Sequence, residues 1–370
     1  MRSRPTSASG ERAAIRRFST LLDAYPIAFR GNRLHLLFVP DARPIWSAEK
    51  YLRALQSREL TDEGREYLIA KYDSWPFPHL DFRGRPDPGE VSKCLFTNFT
   101  AAQEVLFTQR QVGSWLLDAA LAGEYEIVAM MTVDGLSYYD LPDDGTADPC
   151  LVEGVSITEF GYRQVISRPK VSQRFFAAGY RDQIGFTYFD PQSNSLASDL
   201  YEPFGASQVH TVATFDEIVD ILENSRLSHT YVQISAPGLD ELCDGHHDRP
   251  PREAYLNQVL TRFQRLFDCL ELGGRRVLAC LTADHGIIWR EHLEPQAVLD
   301  ELPADDSHHP RYIPGSVRLP HARTLTHQGR GYSLLEYPYL TRHLRKTEWG
   351  VHGGLSAWES LVPFMVKKTV

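Results

Sequence analysis

Arg276-Val-Leu-Ala-Cys-Leu-Thr282 runs directly into Ala283-Asp284-His285-Gly286. A short apolar run closed by turn residues reads as a strand covered on both faces. It follows a helix-like stretch, Glu253–Leu272, and the break Gly273-Gly274. The same order recurs upstream, where helix-like Thr214–Leu222 leads to strand-like Thr230-Tyr-Val-Gln-Ile-Ser235. Tyr125 to Val133 is a further apolar run, with Ile127-Val-Ala-Met-Met-Thr-Val133 at its centre. Strands alternating with helices predict an α/β core with a mostly parallel central sheet flanked by helices. This core is placed over residues 124–370.

The 370 residues allow one large domain, or a core with a smaller companion. Hydrophobic residues at 42% and charged residues at 24% exclude disorder over the whole chain. No stretch approaches the roughly 20 apolar residues of a membrane span. The net charge of −9 gives no general electrostatic grip on nucleic acid. Five scattered cysteines (94, 150, 243, 269 and 280), without a Cys-x-x-Cys pair, argue for a reducing compartment and against a disulfide framework. With no apolar signal core near Met1, the expected location is the cytoplasm.

Residues 1–10 read as a flexible tail, and 11–123 as a smaller N-terminal α+β region of unknown role. Within it, Arg33–Val39 has a strand pattern and Ser47–Leu68 a helical one. Trp46, Tyr51, Tyr67, Tyr72, Trp75 and Phe77 look like core rather than a binding platform. Trp75 to Gly89, crowded with Pro and Gly, looks like a long loop or boundary, and Thr100 to Leu121 has the spacing of one helix. The stretch 295–330, rich in Pro, His and Asp, reads as a surface excursion.

Ligands of an α/β sheet gather beyond the carboxyl ends of its strands. Asp134-Gly135 follows the first strand, Asp284-His285-Gly286 the last, and Ala236-Pro-Gly-Leu-Asp240-Glu-Leu-Cys-Asp244-Gly-His246-His247 the middle one. Such oxygens and imidazoles suit zinc or manganese. Near the C-terminus, His352 is framed by Gly350, Gly353 and Gly354. Each feature alone has a plainer explanation: a turn, a solvated acidic loop, or a structural histidine. Their joint appearance at strand exits is what points to a site. Ser156 and Thr158 lie in a hydroxyl-rich segment that runs into a helical pattern, where an N-cap without chemistry is the plainer reading.

The ordered set Asp134-Gly, Thr158, Asp240…Asp244, Asp284-His285-Gly and His352-Gly-Gly resembles the alkaline phosphatase superfamily. Val351-His-Gly-Gly-Leu-Ser-Ala-Trp-Glu-Ser-Leu-Val-Pro363 is similar to the His-Gly-Gly-x-Ser…Glu…Val-Pro pattern of PglZ-type domains, which are associated with bacterial phage defence. The type I phosphodiesterase/nucleotide pyrophosphatases are a related branch. The resemblance covers about 126–370 and implies an alkaline-phosphatase-like core holding two divalent metal ions, zinc first and manganese as the alternative. It places Asp134, Thr158, Asp284 and His285 on one metal, and Asp240, Asp244 and His352 on the other. His246 or His247 stands in for Asp244 if the loop is shifted. Thr158 fits the nucleophile position better than Ser156. No Cys/Ser-x-Pro-x-Arg motif surrounds it, which argues against a sulfatase.

The implied activity is hydrolysis of phosphoric esters, with a nucleotide or nucleic-acid substrate and defence-system protein partners, and no membrane. Two cations about 4 Å apart neutralise an anionic ester and clamp the attacking and leaving oxygens in line. Arg163 and Lys170 are candidates for a phosphate oxygen, although solvated helix charges are the plainer reading. Two alternatives keep the fold: a catalytically silent interaction module of a defence complex, and a phosphomutase.

Overall fold

The computed structural model describes residues 85–300, 309–327 and 329–369. The expected tail, the strand at 33–39, the helix at 47–68 and the N-terminal aromatics lie outside the described residues.

A seven-stranded sheet forms the core. Its strands are β1 (Ile127–Val133), β2 (Ala147–Leu151), β3 (Asp182–Thr187), β4 (Val209–Thr211), β5 (Thr230–Ala236), β6 (Val277–Ala283) and, after seven short strands elsewhere, β14 (Leu361–Lys368). Their order is β2-β14-β6-β1-β5-β3-β4. The run β6-β1-β5-β3-β4 is parallel, and β14 is antiparallel to both of its neighbours. The fold is therefore α/β with a mostly parallel central sheet flanked by helices, as the alternating pattern predicts. β1, β5 and β6 are buried at every position, which is why their sequences carry no polar alternation.

Register decides where chemistry can gather. Val133 pairs with both Ala236 and Ala283, so β1, β5 and β6 end level with one another. The residues just beyond those ends therefore emerge side by side at one edge of the sheet.

The expected single helix over Thr100–Leu121 is two helices, α1 (Pro88–Val105) and α2 (Gln109–Gly123). Leu106 is extended, and the Thr108 N–H donates to Gln111 Oε1 at 3.0 Å, starting a new helix. Both helices are built into the core. Val112 and Leu116 pack with the central strands, while Val91 and Leu95 pack with Leu355 and Leu361.

Where it is described, the stretch expected to be a surface excursion contributes to a second, three-stranded antiparallel sheet. The short strands are β7 (Ile288–Trp289), β8 (Ala297–Val298), β9 (Tyr312–Pro314), β10 (Ala322–His327), β11 (Arg330–Leu335), β12 (Tyr339–Leu340) and β13 (Gly350–Val351), and the sheet runs β10-β11-β9. Just before β9, Arg311 is fully buried. Its Nε donates to Glu359 Oε1 at 3.0 Å and a terminal nitrogen to Oε2 at 2.8 Å. The guanidinium also reaches the carbonyls of Leu335, Glu336 and Tyr339. Glu359 is equally buried, accepts the Gly354 N–H at 2.9 Å, and its carbonyl accepts the Gly286 N–H at 3.0 Å.

Removing one member of a buried pair strands a desolvated charge. Arg311→Met is expected to cost about 3–5 kcal/mol in urea unfolding, and Arg311→Met/Glu359→Leu together much less. Equal losses in the single and double variants would show that the pair has no such role.

Candidate metal centre

Asp134, at the end of β1, begins a tight turn in which Gly135 has φ of +70°. Asp240, beyond β5, sits in a 3-10 turn, Leu239–Leu242. Asp284 and His285 follow β6 directly. Thr158 opens a short helix, α3 (Thr158–Tyr162), which leads into a π turn over Arg163–Ser167. α3 lies close against the β6 loop: a Cβ on Gly161 would fall 1.9 Å from the Asp284 carbonyl oxygen. Glycine here is what lets Thr158 approach the strand ends.

These elements bring distant residues together. The ligand-capable atoms of Asp134, Asp284 and His285 lie within 4.8 Å of one another, as do those of Asp240, His285 and His352. Among the described residues these are the two groups of His, Cys, Asp and Glu with such spacing, and His285 belongs to both. Thr158 Oγ1 lies beside them, 3.3 Å from Asp134 Oδ1 and 3.2 Å from His285 Nε2.

Hydrogen bonding fixes which imidazole nitrogens face the centre. His352 Nδ1 contacts the Ser156 carbonyl at 2.8 Å, and His285 Nδ1 the Gly286 carbonyl at 3.1 Å. A carbonyl only accepts, so each Nδ1 carries the hydrogen and each neutral ring presents a bare Nε2. These Nε2 atoms point at other acceptors. His352 Nε2 is 3.4 Å from Asp240 Oδ1, and His285 Nε2 is 3.6 Å from Asp284 Oδ2. Both carboxylate oxygens are buried without a hydrogen-bond partner. Acceptors facing one another at this range repel unless a cation or a proton lies among them. The residues therefore fit divalent metal: carboxylate and imidazole donors for zinc or manganese, each ring oriented by an outer carbonyl.

The carboxylates register the same crowding. Burial, with the charge of Asp284 adding to it, pushes Asp134 well above the usual carboxylate range. Burial raises Asp284 to about 8, against the opposing Gly135 and His285 amides that bond to Oδ1. Burial acts to raise Asp240 too, but the adjacent His352 and His285 outweigh it and hold it low.

Not every expected residue arrives. Asp244 is exposed and turned away, accepting from Thr347 Oγ1 at 2.7 Å. His246 contacts the Glu241 carbonyl at 3.2 Å, and His247 is exposed. Arg163 is bonded to Asp199 at 2.9 Å and to Glu159. Lys170 is exposed. Ser156 is buried, with its hydroxyl on the Gly354 carbonyl at 3.3 Å. Conversely, His309, which the sequence reading passed over, stands against His352 with ring centres 5.3 Å apart. Burial lowers it to about 3, with the neighbouring His352 adding to the effect. The only mark it leaves in the sequence is the pair His308-His309 in a stretch without periodicity.

No protein-family model matches the chain, and no curated protein sequence does. Among solved structures it is similar to phosphonoacetate hydrolase from Sinorhizobium meliloti in complex with phosphonoformate, with TM-score 0.42 and 14% identity over 65% of this chain and 89% of that one. It is also similar to the human ectonucleotide pyrophosphatase/phosphodiesterase 5, with TM-score 0.40 and 11% identity over 65% of this chain and 87% of that one. The murine form in complex with AMP gives TM-score 0.37 and 10% identity over 65% and 87%. Among the described residues no helix is long and apolar enough to cross a membrane.

Asp284 sets a pH dependence for the metal-free protein. Its carboxyl ionises near 3.8 when exposed and near 8 in the fold. Between those values the folded state holds a proton that the unfolded chain has lost, so stability falls as pH rises through that window. Thermal melts of chelated protein are expected to show Tm dropping from pH about 5 to about 8, with added zinc or manganese raising Tm and flattening the decline. A Tm indifferent to both pH and metal would count against the site.

Proposed function

We propose that this chain is a metal-dependent phosphohydrolase of the alkaline phosphatase superfamily, PglZ-type, with Thr158 as nucleophile. The observation that carries the reading is the pair of carboxylate–imidazole groups sharing His285, with the Thr158 hydroxyl beside them. Asp134, Asp284, His285 and Thr158 would hold one divalent ion, and Asp240 and His352 the other. When bound, the two ions supply charge neutralisation of the phosphate and a lowered pKa for the hydroxyl.

The chain's own residues do the rest. α3 presents Thr158 Oγ1 at the edge of the centre. In the first step a Thr158 Oγ1–phosphorus bond forms as the hydroxyl proton passes to solvent, and the ester P–O bond breaks, its oxygen taking a proton from solvent to leave as the alcohol. In the second step water attacks phosphorus, the Thr158–phosphorus bond breaks, and the hydroxyl is restored. The outer carbonyls of Ser156 and Gly286 keep both imidazoles aimed inward throughout. Phosphodiester or nucleotide-like substrates, zinc or manganese as the metal, and partners from a phage-defence system are supported by the motif resemblance.

Thr158→Ala is expected to lower turnover of nitrophenyl phosphate mono- and diesters by roughly 10³-fold or more while bound metal stays near wild type. Asp284→Ala and His352→Ala should lower both. EDTA should stop the reaction, and zinc or manganese should restore it. Wild-type-like turnover by Thr158→Ala removes that residue from the role. Metal-free wild-type protein with full activity removes the whole reading.

A further inference from the structure

The Asp240–His352 side of the centre has a neighbour with no role so far. His309 packs its ring against His352 and against Tyr312, with ring centres 5.3 and 4.3 Å apart. Its main chain is held from several directions. The His309 carbonyl accepts Thr341 Oγ1 at 2.8 Å, the Pro310 carbonyl accepts the Thr341 N–H at 2.9 Å, and Arg311 next to it forms the buried pair with Glu359. The imidazole is thus firmly placed beside the Asp240–His352 side of the centre.

Its hydrogen bonding differs in kind from that of the other two histidines. His285 and His352 donate from Nδ1 to carbonyls, which leaves Nε2 bare for a cation. His309 Nδ1 instead lies 3.5 Å from the Arg311 backbone N–H and accepts from it. A neutral ring accepting at Nδ1 carries its hydrogen on Nε2. His309 thus has the tautomer of a donor, and it stands outside both groups of ligand-spaced atoms.

The position supplies the role. Thr158 lies against Asp134 and His285, whereas His309 lies against His352 on the side of Asp240. In an in-line displacement the leaving oxygen departs opposite the nucleophile. We propose that His309 is a further catalytic residue, a neutral hydrogen-bond donor that uses Nε2–H to stabilise the negative charge gathering on the leaving-group oxygen of the phosphate ester. This rests on the phosphohydrolase reading and adds to it a residue and a substrate preference: esters of poor leaving groups, such as alkyl or sugar alcohols, depend on His309, and esters of acidic phenols do not. The leaving oxygen takes its proton from solvent, and no bond to His309 forms or breaks.

The test pairs kinetics with two readouts that do not depend on turnover. Bound metal is measured in wild type, His309→Ala and His309→Gln, and imidazole tautomers are read by nitrogen-15 NMR on metal-free protein. Each protein is then assayed with a methyl and a nitrophenyl diester of the same phosphate. The expected result is unchanged metal content, an Nε2-protonated His309 beside Nδ1-protonated His285 and His352, and a loss of about 10²–10³-fold in kcat/KM for the methyl ester against less than about 10-fold for the nitrophenyl ester in His309→Ala. His309→Gln, which keeps a donor amide near the same place, should recover part of the methyl-ester rate. Loss of metal in the variants would make His309 a ligand and overturn the proposal. Equal losses for both esters, or none, would overturn it as well while leaving the phosphohydrolase reading in place. Wild-type protein that hydrolyses neither ester withdraws that reading and this assignment together.

Discussion

The buried contact between Arg311 and Glu359 is the fixture on which the site depends. Neither side chain reaches water, so each charge has only the other and the surrounding backbone for compensation. Such pairs contribute modestly to net stability, but one partner without the other is costly, so the geometry has few alternatives. What this pair fixes is more than itself. Through the carboxylate and the main chain, Glu359 holds Gly354 and Gly286, the first lying two residues beyond His352 and the second next to His285. Through the guanidinium it holds the segment that carries His309. Three histidines from three parts of the chain are thereby referred to one anchor.

A second constraint comes from the sheet. Because β1, β5 and β6 end in register, Asp134, Asp240 and Asp284 leave the sheet at the same edge. Carboxylates crowded at a buried edge repel, and burial adds a desolvation cost to each. The protein offers two backbone amides to Asp284 Oδ1 and leaves Oδ2 without a partner. With the imidazole lone pairs turned the same way, a set of oxygen and nitrogen donors is gathered in advance of whatever cation meets it. The Thr158 hydroxyl stands beside this cluster, against Asp134 and His285.

The sequence made much of this legible, and the limits are instructive. Asp134, Asp284 and His285 stand out because each follows an apolar run whose strand character is plain, and the strand exit itself marks the place. His352 is legible from its glycines. Asp244 is placed on the second metal by the motif resemblance alone, four residues after Asp240. Here the backbone makes only a short 3-10 turn over Leu239–Leu242, and Asp244, beyond its end, points to Thr347 and solvent. The break between α1 and α2 is hidden for a similar reason. Leu106 and Phe107 continue the apolar pattern of a helix, and only the Thr108–Gln111 cap restarts it.

By itself, then, the sequence determined the α/β layering, the three central strands and the residues at their exits, because burial on both faces and turn chemistry write themselves into local composition. Only the tertiary structure decided that Asp240 lies beside His352 while Asp244 does not, that Arg163 is bound to Asp199 and Glu159, and that His309 lies against His352 and Arg311 against Glu359. Those outcomes depend on strand order, register and buried pairing between residues far apart in the chain, and no local pattern of side chains encodes such distances.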